Sequence, residues 1–329
     1  MGREYSYPRN PLVRPSRHPQ RRSLPTSLRS VKRVIVSALV SWLLIVGLLA
    51  QTPAQVKPGA RLTLITNKPD VSIYLNGAFR GKSDQRGTLL IERLPASRYR
   101  LRARTVGFKD YRFEFRVAAG EARRLHVHLL PTRDRAELAY QRGEQWREEK
   151  KYEESVAEYE AALRLRRTFP EARVGLARSL LALNKHEESQ QQAEQAIHER
   201  RGQEPEGYTV LANALRGAGL YGEAAEQYHR ALRQAKNFSP EAHTGLALSL
   251  DEMGETEEAI EHLRQAIAQD GDGEPILYNL LGNMLLAVDK KREALKALEK
   301  YLALAPDSDL APAIQSLVEQ VREELAAPP

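Results

Sequence analysis

AELAYQRGEQWREEKKYEESVAEYEAALRLRRTF, residues 136–169, is one unit of a repeat that fills the C-terminal half of the chain. Further units begin at Pro170, Pro205, Pro240 and Pro275, so successive starts lie 34, 35, 35 and 35 residues apart. A period in this range marks a helix hairpin that cannot bury its apolar face alone and stacks on its neighbours. Small residues recur in register. The eighth position holds Gly143, Ala177, Ala212, Ala247 and Gly282, and the twentieth holds Ser155, Ser189, Ala224, Ala259 and Ala294. These two positions fall where the helices of one unit cross, and a larger side chain there would drive them apart. The twenty-seventh holds Ala162, Ala196, Ala231 and Ala266, where the next unit packs, and then Tyr301. The exception predicts a different neighbour for the last unit, and residues 309–327 supply one: an amphipathic helix, Leu310 to Leu325, with a polar outer face that closes the array.

Spacing and small-residue positions together resemble the tetratricopeptide repeat, over residues 136–308 in five units (136–169, 170–203, 205–238, 240–273 and 275–308). The resemblance implies an all-α solenoid with a concave groove that binds a protein or peptide partner without catalysis. In such arrays the first helix of each unit lines the groove. The candidate groove residues are Tyr140, Glu144, Arg147, Arg178, Thr209, Asn213, Arg216, Thr244, Asp251, Asn279 and Asn283. Chaperone-binding members grip a terminal carboxylate with Lys and Asn at the fifth and ninth positions of their first unit. Tyr140 and Glu144 stand there in this chain, which disfavours that ligand class.

Upstream, over residues 61–131, the apolar period switches to two. Thr63 and Ile65, then Val71, Ile73 and Leu75, alternate with polar neighbours. Asn76-Gly77 is a hairpin turn signal, and later runs are Tyr99-Leu101-Ala103, Tyr111-Phe113-Phe115-Val117 and Leu125-Val127-Leu129. Short strands with frequent turns predict a small sandwich. Pro69 to Leu75 before Asn76-Gly77, then Gly81-Lys82-Ser83, LPASRY and Gly107-Phe108 before an aromatic strand, resemble the PEGA domain, although Pro69-Asp70-Val71-Ser72 and Ser97 depart from its pattern. The resemblance implies a noncatalytic extracytoplasmic β-sandwich module. Within it Arg98, Arg100, Arg102 and Arg104 alternate with Tyr99, Leu101 and Ala103, so the arginines leave the sandwich core on one face. That face is either a solvated one that discourages edge pairing or a contact for an anionic surface: lipid headgroups, an envelope polymer, or the acidic half of the same chain. His126 and His128 share a strand face but lack a third ligand, so no metal site is expected.

Charge divides the chain. The net +7 comprises +8 in residues 1–33, none in 34–50, +11 in 51–133 and −12 in 134–329, so no single basic surface points to nucleic acid. Opposite charge on the two halves also allows docking in cis. Residues 1–33, rich in Pro, Ser and Arg, read as a disordered basic tail. Residues 34–50, VIVSALVSWLLIVGLLA, are uncharged and lie at the lower limit of length for crossing a bilayer as a helix, with 51–60 as a linker. They read as a transmembrane helix or the apolar core of a signal peptide with Ala50 or Ala54 at the cleavage site. The cationic flank stays cytoplasmic in either case. The expected protein is single-pass in the inner membrane with its domains extracytoplasmic, or secreted after cleavage.

The absence of cysteine excludes disulfides and thiol chemistry, and no phosphate-binding, dinucleotide, HExxH or GxSxG motif occurs. No cofactor and no catalysis are expected. The overall expectation is an α+β multidomain chain: a PEGA-like sandwich, a solenoid of five hairpins and a capping helix. Two functions follow, a membrane-anchored adaptor binding a protein in the groove, or an envelope protein whose basic module holds an anionic polymer while the array serves as spacer.

Overall fold

A left-handed residue sits at the fifteenth position of every unit: Lys150, Asn184, Gly219, Gly254 and Asp289, with φ of 59°, 58°, 79°, 83° and 56°. Each reverses the chain between the two helices of a hairpin. The amide of the following residue then donates to a carbonyl five residues back, as Lys185 does to Leu180 (2.9 Å) and Lys290 to Leu285 (2.8 Å). This Schellman closure satisfies carbonyls that the helix end leaves open. The hairpins are α1 (Arg135–Glu148) with α2 (Tyr152–Leu165), α3 (Pro170–Ala182) with α4 (His186–Glu199), and α5 (Pro205–Gly217) with α6 (Tyr221–Gln234). They continue as α7 (Pro240–Glu252) with α8 (Thr256–Asp270) and α9 (Ile276–Ala287) with α10 (Lys291–Leu304), closed by α11 (Ala311–Ala326). Pro170, Pro205 and Pro240 open α3, α5 and α7, where a missing N–H costs nothing.

This is a computed structural model, and it describes residues 59–270 and 273–326. The expected tail, apolar segment and nearly all of the linker lie outside these residues. Among the described residues no helix is long and apolar enough to cross a membrane.

The recurrent small residues are inaccessible: Ala177, Ala212, Ala247, Ser155, Ser189 and Ala162 are all fully buried. A Cβ on Gly143 would stand 2.9 Å from the Tyr159 ring, closer than carbon atoms pack. Tyr301, the exception at position twenty-seven, packs with Leu298 against Ile314 and Val318 of α11.

Among the described residues seven strands precede the helices in two sheets, ordered β4-β1-β7 and β3-β2-β5-β6. They are β1 (Ala60–Thr66), β2 (Ser72–Leu75), β3 (Ala78–Lys82), β4 (Thr88–Leu94), β5 (Ser97–Arg104), β6 (Tyr111–Val117) and β7 (Ala122–Val127). The β1–β7 pair is parallel and the remaining pairs are antiparallel. Asn76 and Gly77, with φ of 56° and 90°, form the tight turn between β2 and β3. Leu62, Leu64, Ile73, Leu75, Tyr99 and Leu101 meet between the sheets. The core face of β1 is thus Leu62 and Leu64, one residue out of step with the Thr63 and Ile65 expected there. Both parities of this strand carry apolar side chains, and the leucine pair has more surface to bury. Phe113, expected among the core residues of β6, is 42% exposed.

Candidate functional site

The four-stranded sheet turns its outer face toward the concave side of the array, and the arginines of β5 lie between them. Arg104, 3% exposed, places its guanidinium between the carboxylates of Glu144 and Glu148 on α1 and donates to the Tyr74 hydroxyl (2.8 Å). Arg102 donates to Asp110 (2.7 Å) and to the Tyr140 hydroxyl and stands 3.6 Å from Glu144. Arg100 donates to the backbone carbonyl of Phe238 (3.2 Å), beyond the end of α6. From the edge strand, Arg80 reaches Asp270 at the end of α8 (2.5 Å).

These contacts select the acidic half of the same chain among the surfaces expected for the arginines, and they correct the groove assignment of Tyr140 and Glu144. Arg102 and Arg104 do not face an anionic surface outside the chain, because the array's own carboxylates take them; Arg98 alone of the four is exposed. Tyr140 and Glu144, both 3% exposed, are not free groove residues, since the sandwich covers them. Burial would push the Glu144 carboxyl up, but Arg104, Arg147 and Arg102 around it and the Tyr159 hydroxyl hold it well below the usual carboxylate range. It is a buried anion neutralised by guanidinium groups from both halves of the chain.

Beyond this contact the sheet and the array enclose a chamber of about 980 Å³. Six expected groove residues line it: Arg147, Arg178, Thr209, Asn213, Arg216 and Thr244. Asp251, Asn279 and Asn283 lie outside its wall. Asp251 accepts from the Thr256 hydroxyl (2.9 Å), and Asn283 donates to Asn279 (3.2 Å). Opposite the array, Phe79 and Phe113 face the chamber with half or nearly half of their surface uncovered, and Leu248, Ile276 and Leu280 extend the apolar lining. The wall therefore offers apolar surface framed by side chains of both charges.

The floor is rigid. Arg178 on α3 forms a two-pronged pair with Glu241 on α7 (2.8 Å each), skipping over α5, and Asn213 of α5 donates to the same carboxylate (3.1 Å). Burial raises the Glu241 carboxyl, and these partners outweigh it and hold it down. Tyr228 donates its hydroxyl to Asn213 (2.5 Å), with its ring lying where Gly245 leaves space. Tyr159 does the same two repeat units earlier, passing beneath Gly175 to donate to Glu144. Sequence reasoning missed these tyrosines. The visible signal is a Tyr followed by a Gly sixteen or seventeen residues on, in alternate units.

A smaller cavity beside the chamber gathers Glu171, Glu204 and Glu206 opposite Arg112 and Arg102. Burial, then the neighbouring Glu206, pushes the Glu204 carboxyl up to about 7. His126 and His128 are both exposed on the sandwich. Among the described residues no cluster of three or more His, Cys, Asp or Glu side chains is arranged to hold a metal ion.

Tetratricopeptide-repeat profiles match residues 147–214, 209–274 and 244–309. The helical array is built of tetratricopeptide repeats. Its fold is similar to that of PilW, a type IV pilus biogenesis factor, with a TM-score of 0.52 and 15% identity over 57% of this chain and 86% of that one. A thermophilic tetratricopeptide-repeat protein of Thermus thermophilus is 24% identical over 56% of this chain and 98% of its own, with a TM-score of 0.48. YrrB, described as a tetratricopeptide-repeat protein with an unusual peptide-binding site, is 20% identical over 56% and 94%, with a TM-score of 0.42. At these identities the likeness is one of fold. No curated protein matches the chain.

Proposed function

We propose that this protein is a non-catalytic adaptor that holds an extended segment of a partner polypeptide in the chamber between its tetratricopeptide array and its sandwich. The single observation that carries the reading is the composition of that chamber. One wall presents Asn213, Arg216 and Thr244 from successive groove helices, and the other presents Phe79 and Phe113 uncovered. Exposed aromatic rings facing hydrogen-bonding side chains suit a backbone held by polar groups with an apolar side chain inserted between them. Both charge signs at the rim favour a partner with mixed charge over a strongly basic one.

The PEGA-like character of the sandwich, anchorage through residues 34–50 and an extracytoplasmic location belong to the same proposal. They rest on the motifs and on the apolar run beside Lys32 and Arg33. The polymer-binding alternative is weaker, because Arg102 and Arg104 are engaged within the chain.

A photo-reactive phenylalanine analogue at Phe113 of the full-length chain tests the reading in cells. Adducts to a discrete partner are expected from this position, are expected to disappear when Thr244→Arg fills the opposite wall, and are not expected from the exposed Leu90 on β4. The same adducts from Leu90, or none from Phe113, would refute chamber binding.

A further inference from the structure

The sandwich meets the array at two ends that differ in kind. At the near end the connecting residues 128–134 are tied down on both sides. The Thr132 amide donates to Gly107 (2.8 Å) and the Lys109 amide to Leu130 (2.8 Å). Gln141 of α1, 1% exposed, accepts from the Gly107 amide (2.9 Å) and donates to the Phe108 carbonyl. Arg104 sits beside this junction, fully enclosed by Glu144 and Glu148. Seven connecting residues and a buried charge cluster leave this end little freedom.

At the far end the array provides a slot for one guanidinium. Arg80 projects from β3 and places Nη2 2.5 Å from Asp270 Oδ1 and 3.0 Å from the Asp270 backbone carbonyl. That carbonyl closes α8, where the negative end of the helix dipole favours a cation. Gly273 forms the third side: a Cβ there would overlap Arg80 Nη1, so a larger residue at 273 obliges the guanidinium to move from this position. The two side chains are 10% and 1% exposed, so the pair is shielded from solvent and from salt. The chamber lies between the two ends, with Arg100 bridging to Phe238 above it.

We propose that the sandwich is a jaw, hinged on the first repeat and latched to the fourth by insertion of Arg80 into the Asp270–Gly273 slot, and that release of the latch admits a polypeptide to the chamber. The physical basis is the asymmetry. Removing a far-end contact opens the jaw without disturbing either fold, whereas the near end holds the two halves in register throughout. The admission step rests on the adaptor reading above; the latch concerns only this chain.

The chain has no native cysteine, so spin labels at Leu90→Cys on the sandwich and Leu310→Cys past the fifth repeat report the gap in the full-length protein. The unmodified latch gives one narrow distance distribution. Arg80→Ala removes the inserted cation and raises the long-distance population about tenfold. Gly273→Val retains both charges but fills the slot, and produces the same shift. An unchanged distribution in both variants, or a broad distribution before any substitution, overturns the latch. In Arg80→Ala, photo-adducts from Phe113 rise about threefold if opening limits entry. An open jaw with unchanged adduct yield retains the latch and overturns the admission step. Adducts absent from every variant overturn the adaptor reading instead.

Discussion

Within the array, alanine, serine and glycine let the helices approach so that leucine, valine and isoleucine interlock, with two tyrosines slid between them; between the sandwich and the array, the contact is made chiefly of arginine and carboxylates. Repeat joints such as Ala224, Ala231 and Tyr228 against Gly245 bury apolar surface in a geometry that many sequences share. The Arg104–Glu144–Glu148 contact has no such redundancy, since each buried charge is tolerated only while its partners stay in place. Apolar stacking therefore makes a scaffold that accepts small changes, and paired buried charges fix where the module is seated on the first repeat.

The most disruptive test of this contrast is Glu144→Ala. It leaves Arg147 without its carboxylate, and Arg104 and Arg102 with only Glu148 and Asp110, in a site with little access to water, and the expected loss is about 3 kcal/mol of unfolding free energy. The loss should appear as a lower denaturant midpoint for the sandwich and the first repeat, with the C-terminal repeats barely affected because solenoid units couple to their nearest neighbours. An equal loss in all repeats would mean that the cluster stabilises the array as a whole instead of orienting the module.

A second test uses pH on an apolar joint. His243, 1% exposed, faces His262 with Nδ1 to Nδ1 at 3.0 Å, with His229 beyond and the Asn237 carbonyl 3.4 Å from Nε2. Burial, with His262 and His229 nearby, pushes the His243 imidazole down to about 4. Between about 4 and 6.5 the unfolded chain binds a proton there that the folded chain refuses, so the stabilisation present above the upper value is lost as pH falls through this window. The loss is about 2 to 3 kcal/mol by pH 4, and it should appear in the difference curve when His243→Gln is compared with the parent by chemical unfolding at stepped pH. A flat difference curve would show that the His243 joint opens before it titrates.

The repeats were legible because their cause is local and recurs. Position fifteen must turn, positions eight and twenty must be small, and Tyr301 departs from the pattern where α11 takes over from a further repeat. The charge halves were legible too, and their docking was among the readings. Which charges would meet was not. Arg80 and Asp270 stand 190 residues apart, and nothing in an arginine records its partner. The strand phase of β1 was ambiguous for a different reason, since Leu62-Leu64 and Thr63-Ile65 alternate equally well and only packing chooses between them.

The tyrosine–glycine joints occupy the middle of the scale. Gly245→Ala puts a methyl group into the Tyr228 ring, which must shift and surrender its bond to Asn213, at about 1 to 3 kcal/mol. Pairing it with Tyr228→Leu should recover much of the loss, as measured by the urea midpoint. Failure to recover would mean that the hydroxyl on the groove floor matters more than the steric fit.

The smallest expected effect comes from a pair that looks strong on geometry alone. Arg178 and Glu241 share two hydrogen bonds of 2.8 Å, yet their side chains are 25% and 42% exposed toward the chamber. Water competes for both groups and holding two long side chains in place costs entropy, so a double-mutant cycle through Arg178→Ala and Glu241→Ala should give a coupling of about 0.5 to 1 kcal/mol. That coupling should shrink in 1 M salt, where the screening length is only about 3 Å, while the Glu144 cycle with Arg104 should keep most of its value. Equal salt sensitivity in the two cycles would erase the distinction between a charge pair that orients a domain and one that lines a wet groove. If the cycles separate, Arg178 and Glu241 are free to exchange their mutual bonds for bonds to an incoming polypeptide at little cost, and Glu144 is not.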